Sequence, residues 1–249
     1  MSTNRISSIT QLSTAGSRGV QEDFLMCEQD KSIFAVADGF GGPQSGSAAA
    51  KQACEATRAF LSREGGDADA TLPFVIRHYY SLVGNVLFNA VVHANRELMH
   101  SNKNRNVHEK GGASLLAAYL DESMLGIANV GTCGALLVRG NDASELVTPR
   151  SYARLVDVTN GKRTDHKNVP LAALGISDDL EPEIVEVKIR GGDWLILFTD
   201  GFDAQSVKDA IQSIKQGKFN AEDVPVLLEE WVQKQDKDDN ASLLLVIFE

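Results

Sequence analysis

Cysteine, histidine and basic residues are all scarce in this chain of 249 residues, and each scarcity excludes a class of protein. The three cysteines, Cys27, Cys54 and Cys133, are too few for a disulfide framework. The five histidines show no H-E-x-x-H or paired-cysteine spacing, which argues against a zinc site. Because 34 acidic residues face 24 basic ones, neither nucleic acid nor an anionic membrane is expected as the main partner.

Long apolar runs and a leader sequence are missing as well. No apolar run approaches the length that a bilayer-spanning helix needs. The opening residues 1–5 lack the charged and apolar regions of a secretory signal. Together with the scarce cysteine, these absences predict a cytoplasmic protein. The hydrophobic content of 43% is enough to bury a full core, and we expect one domain over residues 1–249.

An apolar stretch followed by Asp-Gly-Phe occurs twice, at 34–40 and at 196–202. Each copy predicts a buried strand that stops on an aspartate, Asp38 or Asp200, with a glycine behind it that lets backbone come close. Two strands that bring two carboxylates to one point predict a site for a hard metal ion. Asp-Gly is also a common hairpin signal, so either copy taken alone is more often a turn than a ligand.

Apolar periodicity predicts a block of short strands between pairs of helices. Strands are predicted at 5–12, 24–28, 32–37, 114–120, 124–129, 135–139, 145–148, 184–189, 193–199 and 242–248. Helices are predicted at 45–63, from about 73 to 101, at 207–215 and at 224–234. In the second helix, Pro73 suits the first turn, and Ile76, Tyr79 and Tyr80 would lie on the apolar face. This order predicts an α+β layered sandwich.

Two further acidic pairs flank predicted strands. Glu22 and Asp23 precede the second strand, and Asp238 and Asp239 precede the last one. Carboxylates from four distant segments suit a two-metal site, because divalent cations about 3.5–4 Å apart need bridging anionic oxygens between them. Asp38 is the natural bridge, since it follows the most apolar of these strands.

Seven short segments carry a family resemblance in their order. They are 18–23 (RGVQED), 36–42 (VADGFGG), 111–114 (GGAS), 128–131 (ANVG), 168–175 (NVPLAALG), 198–201 (FTDG) and 239–242 (DNAS). The segments resemble the motifs of the metal-dependent protein serine/threonine phosphatases of the PPM family, also called protein phosphatase type 2C. Any one motif is weak, but seven in the right order indicate a stand-alone phosphatase domain of the bacterial type.

The resemblance implies a fold and an activity. The fold is a four-layer α-β-β-α sandwich, with two antiparallel sheets flanked by helix pairs and a short flap at about 150–175. The activity is hydrolysis of phosphoserine and phosphothreonine through two-metal activation of a bridging water. The implied partners are phosphorylated proteins, among them a cognate protein kinase or its substrates.

The resemblance also implies which residues hold the metals, two Mn²⁺ or Mg²⁺ ions. One ion would be bound by Asp38, Asp200 and Asp239. The other would be bound by Asp38, the Gly39 carbonyl and, largely through water, Glu22 and Asp23. The empty carboxylate cluster would repel a phosphate dianion, so both ions are needed for substrate to bind.

Arg18 is implied to grip the substrate phosphate, because its planar guanidinium matches that oxyanion. With Asp38 and Asp200 it completes the implied catalytic set. His166 lies in the flap and is a second substrate-binding candidate, since loops carry function disproportionately.

Three departures from the family pattern point to a reduced site. Thr132 and Ala204 stand where many members have aspartates that help to hold a third metal, with Asp203 displaced by one position. Phe40 replaces a histidine or a methionine. These changes predict a two-metal core without a third ion. They also motivate an alternative, a catalytically weak member that acts as a phosphoprotein-binding or regulatory module.

Cys133 and Arg139 match the C-x5-R spacing of cysteine-dependent phosphatases, a different chemistry for the same reaction. Residues 135–138 between them read as an apolar strand rather than a phosphate-binding loop at a helix N-terminus. We therefore expect Cys133 to be a small core residue.

Overall fold

The computed structural model describes residues 6–42, 44–65, 76–152, 169–217, 223–234 and 239–249, which form ten strands and four α-helices. The strands are β1 (Ile6–Thr14), β2 (Asp23–Glu28), β3 (Ile33–Phe40), β4 (Gly112–Asp121), β5 (Met124–Val130), β6 (Gly134–Arg139), β7 (Asp142–Val147), β8 (Glu183–Lys188), β9 (Trp194–Phe198) and β10 (Ala241–Phe248). The helices are α1 (Ser45–Glu64), α2 (Leu82–Asn102), α3 (Ala204–Gln216) and α4 (Val224–Gln233).

The strands form two antiparallel sheets of five strands each. The first sheet has the order β1-β10-β9-β6-β7, and the second has the order β2-β3-β4-β5-β8. The inner strands are apolar almost throughout, and all eight residues of β10 are buried. A strand that is covered on both faces reads as a continuous hydrophobic run, which explains why β4 and β10 show no alternation.

Three apolar clusters hold four layers together. Residues such as Leu87 join α1 and α2 to the second sheet, and residues such as Leu116 fill the space between the sheets. Residues such as Ile211 join α3 and α4 to the first sheet. The predicted α+β sandwich with an α-β-β-α layer order is therefore confirmed. Within the described ranges, no helix is long and apolar enough to cross a membrane.

The two Asp-Gly copies differ in structure. β3 runs through Asp38 to Phe40, because Asp38 pairs with residues of both β2 and β4. β9 ends at Phe198, and Asp200 lies in the turn beyond it. The prediction that the strand stops on its aspartate is therefore wrong for the first copy, where pairing on both sides extends the ladder.

The start of α2 is the clearest error in the predicted elements. The helix begins at Leu82 rather than near residue 73, and the described residues 76–81 before it are not helical. Ile76 and Tyr79, predicted on the apolar face, are 59% and 68% exposed. The apolar periodicity of the sequence extends before Ser81, but the helix is capped at Ser81 and does not extend with it.

A carboxylate from another element caps α2. Glu186 of β8 accepts hydrogen bonds from the backbone N–H of Ser81 at 3.1 Å and of Gly84 at 3.0 Å, and from the Ser81 hydroxyl. The first N–H groups of a helix have no partner within the helix, and they form the positive end of its dipole. Glu186 therefore determines where α2 starts.

Glu186→Ala is expected to destabilise the protein by about 1–2 kcal/mol, because it removes a charged cap from three donors. Urea unfolding at equal m-value would measure the loss. Glu181→Ala is the matched control, because its contact with Arg77 at 2.7 Å is an exposed ion pair worth at most about 1 kcal/mol. Equal losses in the two variants would contradict the capping role.

The flap predicted at about 150–175 is described only at its two ends. Tyr152 donates its backbone N–H to the carbonyl of Val169 at 2.8 Å, and Ser151 pairs with Pro170 in an isolated bridge. Residues 153–168, and with them His166, lie outside the described residues. The two ends of the excursion thus meet, as the ends of a loop inserted into a compact core should.

Candidate metal centre

The central strands of the second sheet bring two predicted ligands together. Asp23 of β2 lies directly opposite Asp38 of β3, and Ser114 of β4 lies opposite Asp38 on its other side. Opposite residues of an antiparallel pair point to the same face, so both carboxylates turn towards the first sheet. There the hydroxyl of Thr199, one residue beyond β9, donates to Asp23 Oδ2 at 2.8 Å. This contact closes one end of the sandwich.

Both Asp-Gly glycines are needed for a close approach, as predicted, but the neighbour is the chain itself. A Cβ atom on Gly39 would lie 2.0 Å from the carbonyl oxygen of Gly46. A Cβ atom on Gly201 would lie 1.9 Å from the carbonyl oxygen of Asn240. Only glycine fits at such distances, so the two glycines let neighbouring backbone segments pack beside Asp38 and Asp200.

The side chain of Asn240 connects residues 15–22 to the start of β10 by hydrogen bonds. Its Nδ2 donates to the carbonyls of Ala15 at 2.9 Å and Val20 at 2.8 Å, and its Oδ1 accepts the backbone N–H of Glu22 at 2.8 Å. The sequence indicates neighbouring Asp239 as a metal ligand but gives no role to Asn240. The signal for Asn240 in the sequence is its position in the family-like segment 239–242.

Arg18, which the resemblance implies as the phosphate-binding residue, lies against two acidic residues. Its guanidinium donates to Asp239 Oδ2 at 2.5 Å and lies 3.9 Å from Glu22 Oε2. About half of the Arg18 side chain is exposed, whereas the Glu22 side chain is mostly buried. The guanidinium is therefore at the solvent-facing edge of the carboxylate cluster.

Burial and crowding make the carboxylates hard to ionise together. Burial, with the charge of Asp200 as the next cause, raises the pKa of Asp38 to about 9. Burial also raises the pKa of Asp200 to about 7, with Asp239 adding to the rise. For Asp23, burial raises the pKa to about 6 against the hydrogen bond from Thr199. Such a cluster is stabilised by cations that restore the charged forms.

The donor set fits a hard divalent cation. Glu22 Oε1 and Asp23 Oδ1 are buried and have no hydrogen-bond partner, although buried carboxylate oxygens normally have one. Among the residues that the structure describes, no three His, Cys, Asp or Glu side chains form a group that could hold a metal ion directly. Ions such as Mg²⁺ keep several waters and bind through one or two carboxylates, so a site bridged by water reconciles the two observations.

Thr132 and Ala204 stand where carboxylates for a third metal are missing, and the structure shows what surrounds each position. The hydroxyl of buried Thr132 lies 3.1 Å from that of Ser114. Ala204 opens α3, and the carboxylate of Asp203 caps that helix by accepting from the backbone N–H of Ser206 at 3.0 Å. Neither place therefore offers a free carboxylate to a third ion.

The cysteine-based alternative has no support in the structure. Cys133 is fully buried between the sheets, and burial, with the nearby Asp38 charge next, raises the pKa of its thiol well above the usual range. Arg139 instead makes a paired contact with buried Asp193, at 3.0 and 2.7 Å. A nucleophilic thiolate needs a lowered pKa and access, and Cys133 has neither.

A profile of the Protein phosphatase 2C family matches residues 17–243. The chain belongs to this family. Recognition of a PPM phosphatase from the seven ordered segments is thereby confirmed, and with it the enzyme class, a phosphoprotein phosphatase. Asp38 and Asp200 lie in two of the seven segments that resemble motifs of the protein phosphatase 2C family.

Several bacterial serine/threonine phosphatases are similar to this chain over most of its length. The serine/threonine phosphatase stp of Listeria monocytogenes is 23% identical over 225 residues, which are 88% of this chain and 85% of that protein. The structure of Stp1 from Staphylococcus aureus superposes with a TM-score of 0.78 at 17% identity, covering 100% of this chain and 98% of that one. PstP, whose catalytic domain was crystallised with two manganese ions, has a TM-score of 0.72 at 20% identity, covering 98% of each chain. These structures share the fold of this protein phosphatase 2C member.

Proposed function

We propose that this protein hydrolyses phosphoserine and phosphothreonine in proteins with the help of two bound divalent ions. The observation that carries the proposal is the pair of buried carboxylate oxygens, on Glu22 and Asp23, that lack a hydrogen-bond partner beside Asp38. The name of the Listeria relative, serine/threonine phosphatase, and the manganese ions of PstP support the same reading.

The residues that would hold the ions are those the sequence indicated. Asp38, Asp200 and Asp239 would bind one Mn²⁺ or Mg²⁺ ion, and Asp38, the Gly39 carbonyl and, through water, Glu22 and Asp23 would bind the other. When bound, such ions would supply positive charge and would lower the pKa of water to about 7. The raised pKa of Asp38 fits a metal ligand, because nearby cations would favour the ionised form of this buried carboxylate.

The chain itself binds and orients the phosphate. Arg18 is half-exposed beside Asp239, and its guanidinium would bind the phosphate oxygens in a planar, two-pronged contact. The Phe40 ring lies close over Gly112, where a Cβ atom would come within 2.5 Å of it, and offers no proton to a leaving group. Because the Cys133 thiol is buried, a covalent phosphocysteine has no place in the reaction.

Phosphorylated proteins follow as the substrate class, and a protein kinase or its targets are the proposed partners. The formal net charge of -10 would favour phosphopeptides with basic flanks. His166, in the flap, stays a proposed substrate contact.

Hydrolysis of a phosphothreonine peptide is expected to require Mn²⁺ or Mg²⁺ and to stop when a chelator removes the ion. Asp200→Asn should lower kcat/KM by more than about 100-fold, since groups one layer behind metal ligands already cost about 10–100-fold. Release of inorganic phosphate measures both effects. Asp178→Asn, a change at an exposed carboxylate, is the control and should leave turnover unchanged.

Two results would contradict the proposal. Activity that survives chelation would exclude the metal role. Uptake of Mn²⁺ and phosphopeptide without any turnover would instead establish the binding or regulatory module, and calorimetric titration of both ligands separates these cases.

A further inference from the structure

One buried amide closes the stretch of chain that carries Arg18. Asn240 is only 2% exposed, and its Nδ2 donates to the carbonyls of Ala15 at 2.9 Å and Val20 at 2.8 Å. These two carbonyls stand on either side of Arg18 in the chain. Residues 15–20 therefore form a closed turn, the Arg18 turn, whose two ends are held by one side chain.

The backbone of the Arg18 turn suits this arrangement. Gly16–Arg18 form a short 3-10 helix, and Gly19 follows it with φ +71°, a left-handed conformation that glycine adopts without strain. A 3-10 helix of this length contains few hydrogen bonds of its own. The shape of the turn therefore depends on contacts from outside it.

The partners of Asn240 match a primary amide. Besides the two carbonyls, its side chain has a third partner, the backbone N–H of Glu22, which donates to Oδ1 at 2.8 Å. An amide group offers two N–H donors and one carbonyl acceptor, so it satisfies two carbonyls and one N–H at once. Alanine at this position would leave all three backbone groups without this partner.

The residue before Asn240 contacts the other end of Arg18. The Arg18 guanidinium donates to Asp239 Oδ2 at 2.5 Å, and the backbone N–H of Asn240 donates to Asp239 Oδ1 at 2.7 Å. Neighbouring residues 239 and 240 thus contact both the side chain of Arg18 and the backbone that carries it. A two-pronged contact of guanidinium with phosphate is directional, so the position of this backbone matters for the contact.

We propose that Asn240 is a positioning residue that holds the Arg18 turn where the guanidinium meets the substrate phosphate. The proposal rests on the phosphatase function proposed above. It is carried by three hydrogen bonds of one buried side chain to the backbone on both sides of Arg18.

Asn240→Ala is expected to loosen the Arg18 turn even without metal. Hydrogen–deuterium exchange of the Glu22 N–H should become about 5-fold faster, the change that the loss of one hydrogen bond brings. NMR of the metal-free protein would measure it. Asn240→Ser, whose shorter side chain has one donor instead of two, takes its place if Asn240→Ala does not fold.

Phosphopeptide turnover at saturating Mn²⁺ tests whether Asn240 acts through Arg18. Arg18→Ala should lower kcat/KM by about 10–100-fold, mainly through KM, because charged hydrogen bonds are worth about such factors. Asn240→Ala should also raise KM more than it lowers kcat. The double variant should be no weaker than Arg18→Ala alone, because no guanidinium is left to position.

Asn85→Ala is the matched control. Asn85 is a buried asparagine at the start of α2, and its side chain makes the same kinds of contact. Its Oδ1 accepts the backbone N–H of Arg77 at 2.7 Å, and its Nδ2 donates to the carbonyls of Arg77, Tyr80 and Ser81. This variant should speed exchange at Arg77 and leave both Glu22 exchange and the KM for phosphopeptide unchanged.

The outcomes separate this inference from the proposed function. Unchanged Glu22 exchange in Asn240→Ala, losses of kcat/KM that add in the double variant, or an equal rise of KM in Asn85→Ala would each overturn the positioning role while the wild type stays active. A wild type that takes up no Mn²⁺ and hydrolyses no phosphopeptide would overturn the proposed function, and this role of Asn240 with it.

Discussion

Asp38→Asn is expected to abolish Mn²⁺-dependent phosphatase activity and, at the same time, to raise the melting temperature of the metal-free protein. Burial and neighbouring carboxylates raise the pKa of Asp38 to about 9 in the folded state, whereas the ordinary pKa of an aspartate is 3.8. At pH 7 the unfolded chain therefore carries an ionised Asp38, and folding without metal must take up a proton at a cost. Asparagine removes that cost and also the bridging ligand.

The sign of the pH dependence follows from the raised pKa. The metal-free wild type should lose stability as pH rises from about 4 towards about 9, because the folded state binds the extra proton over that range. Over the same pH range, the metal-free Asp38→Asn protein should lose less stability. A rise in melting temperature on the order of 5 °C at pH 7 is expected, since each kcal/mol is worth about 2–4 °C in a chain of this size.

Saturating Mn²⁺ should reverse the order of the two melting temperatures. A ligand that binds only the folded state stabilises it by RT ln(1 + L/Kd), where L is the free ligand concentration, so tighter binding gives more stability, and the wild type alone keeps the full carboxylate set. Differential scanning fluorimetry with and without Mn²⁺ would measure this, with Asp178→Asn as the exposed control. A metal-free Asp38→Asn protein that melts below the wild type would contradict the proposed electrostatic cost.

The sequence predicted the carboxylate cluster because local patterns determine where each aspartate lies. Asp23 begins β2 and Asp38 lies in β3, and these two neighbouring strands pair so that the two aspartates are directly opposite each other. Asp200 was equally predictable from the strand before it. The ordered family segments added which of these carboxylates belong together.

The features that the sequence did not predict depend on distant partners. The cap of α2 comes from Glu186, 105 positions beyond Ser81, so the periodicity of residues 76–81 gave no sign of it. The hydrogen bonds of Asn240 to carbonyls more than 200 positions away were equally hidden. At Thr132 the sequence showed the loss of a carboxylate but not the hydroxyl contact that replaced it.

Gly39→Ala and Gly201→Ala are expected to be the most destabilising small changes near the site, at about 3 kcal/mol or more each. The added methyl would lie 2.0 Å from the Gly46 carbonyl oxygen in the first case and 1.9 Å from that of Asn240 in the second. Both neighbours are backbone atoms, which cannot rotate away. Gly140→Ala is the control, because a Cβ there meets nothing within 4 Å and only its φ of +58° costs about 1–2 kcal/mol.

Urea unfolding without metal would rank these variants, and similar losses for Gly39→Ala and Gly140→Ala would contradict the close approach. Gly46 lies on the other side of the close contact with Gly39, and Gly46→Ala should affect metal binding more than stability. A Cβ on Gly46 would lie 2.2 Å from Glu22 Oε1, the end of a flexible side chain that can move aside. We therefore expect Gly46→Ala to lose less stability than Gly39→Ala. Its Mn²⁺ affinity should nevertheless fall, because the displaced Glu22 oxygen is buried beside the proposed metal site and has no hydrogen-bond partner.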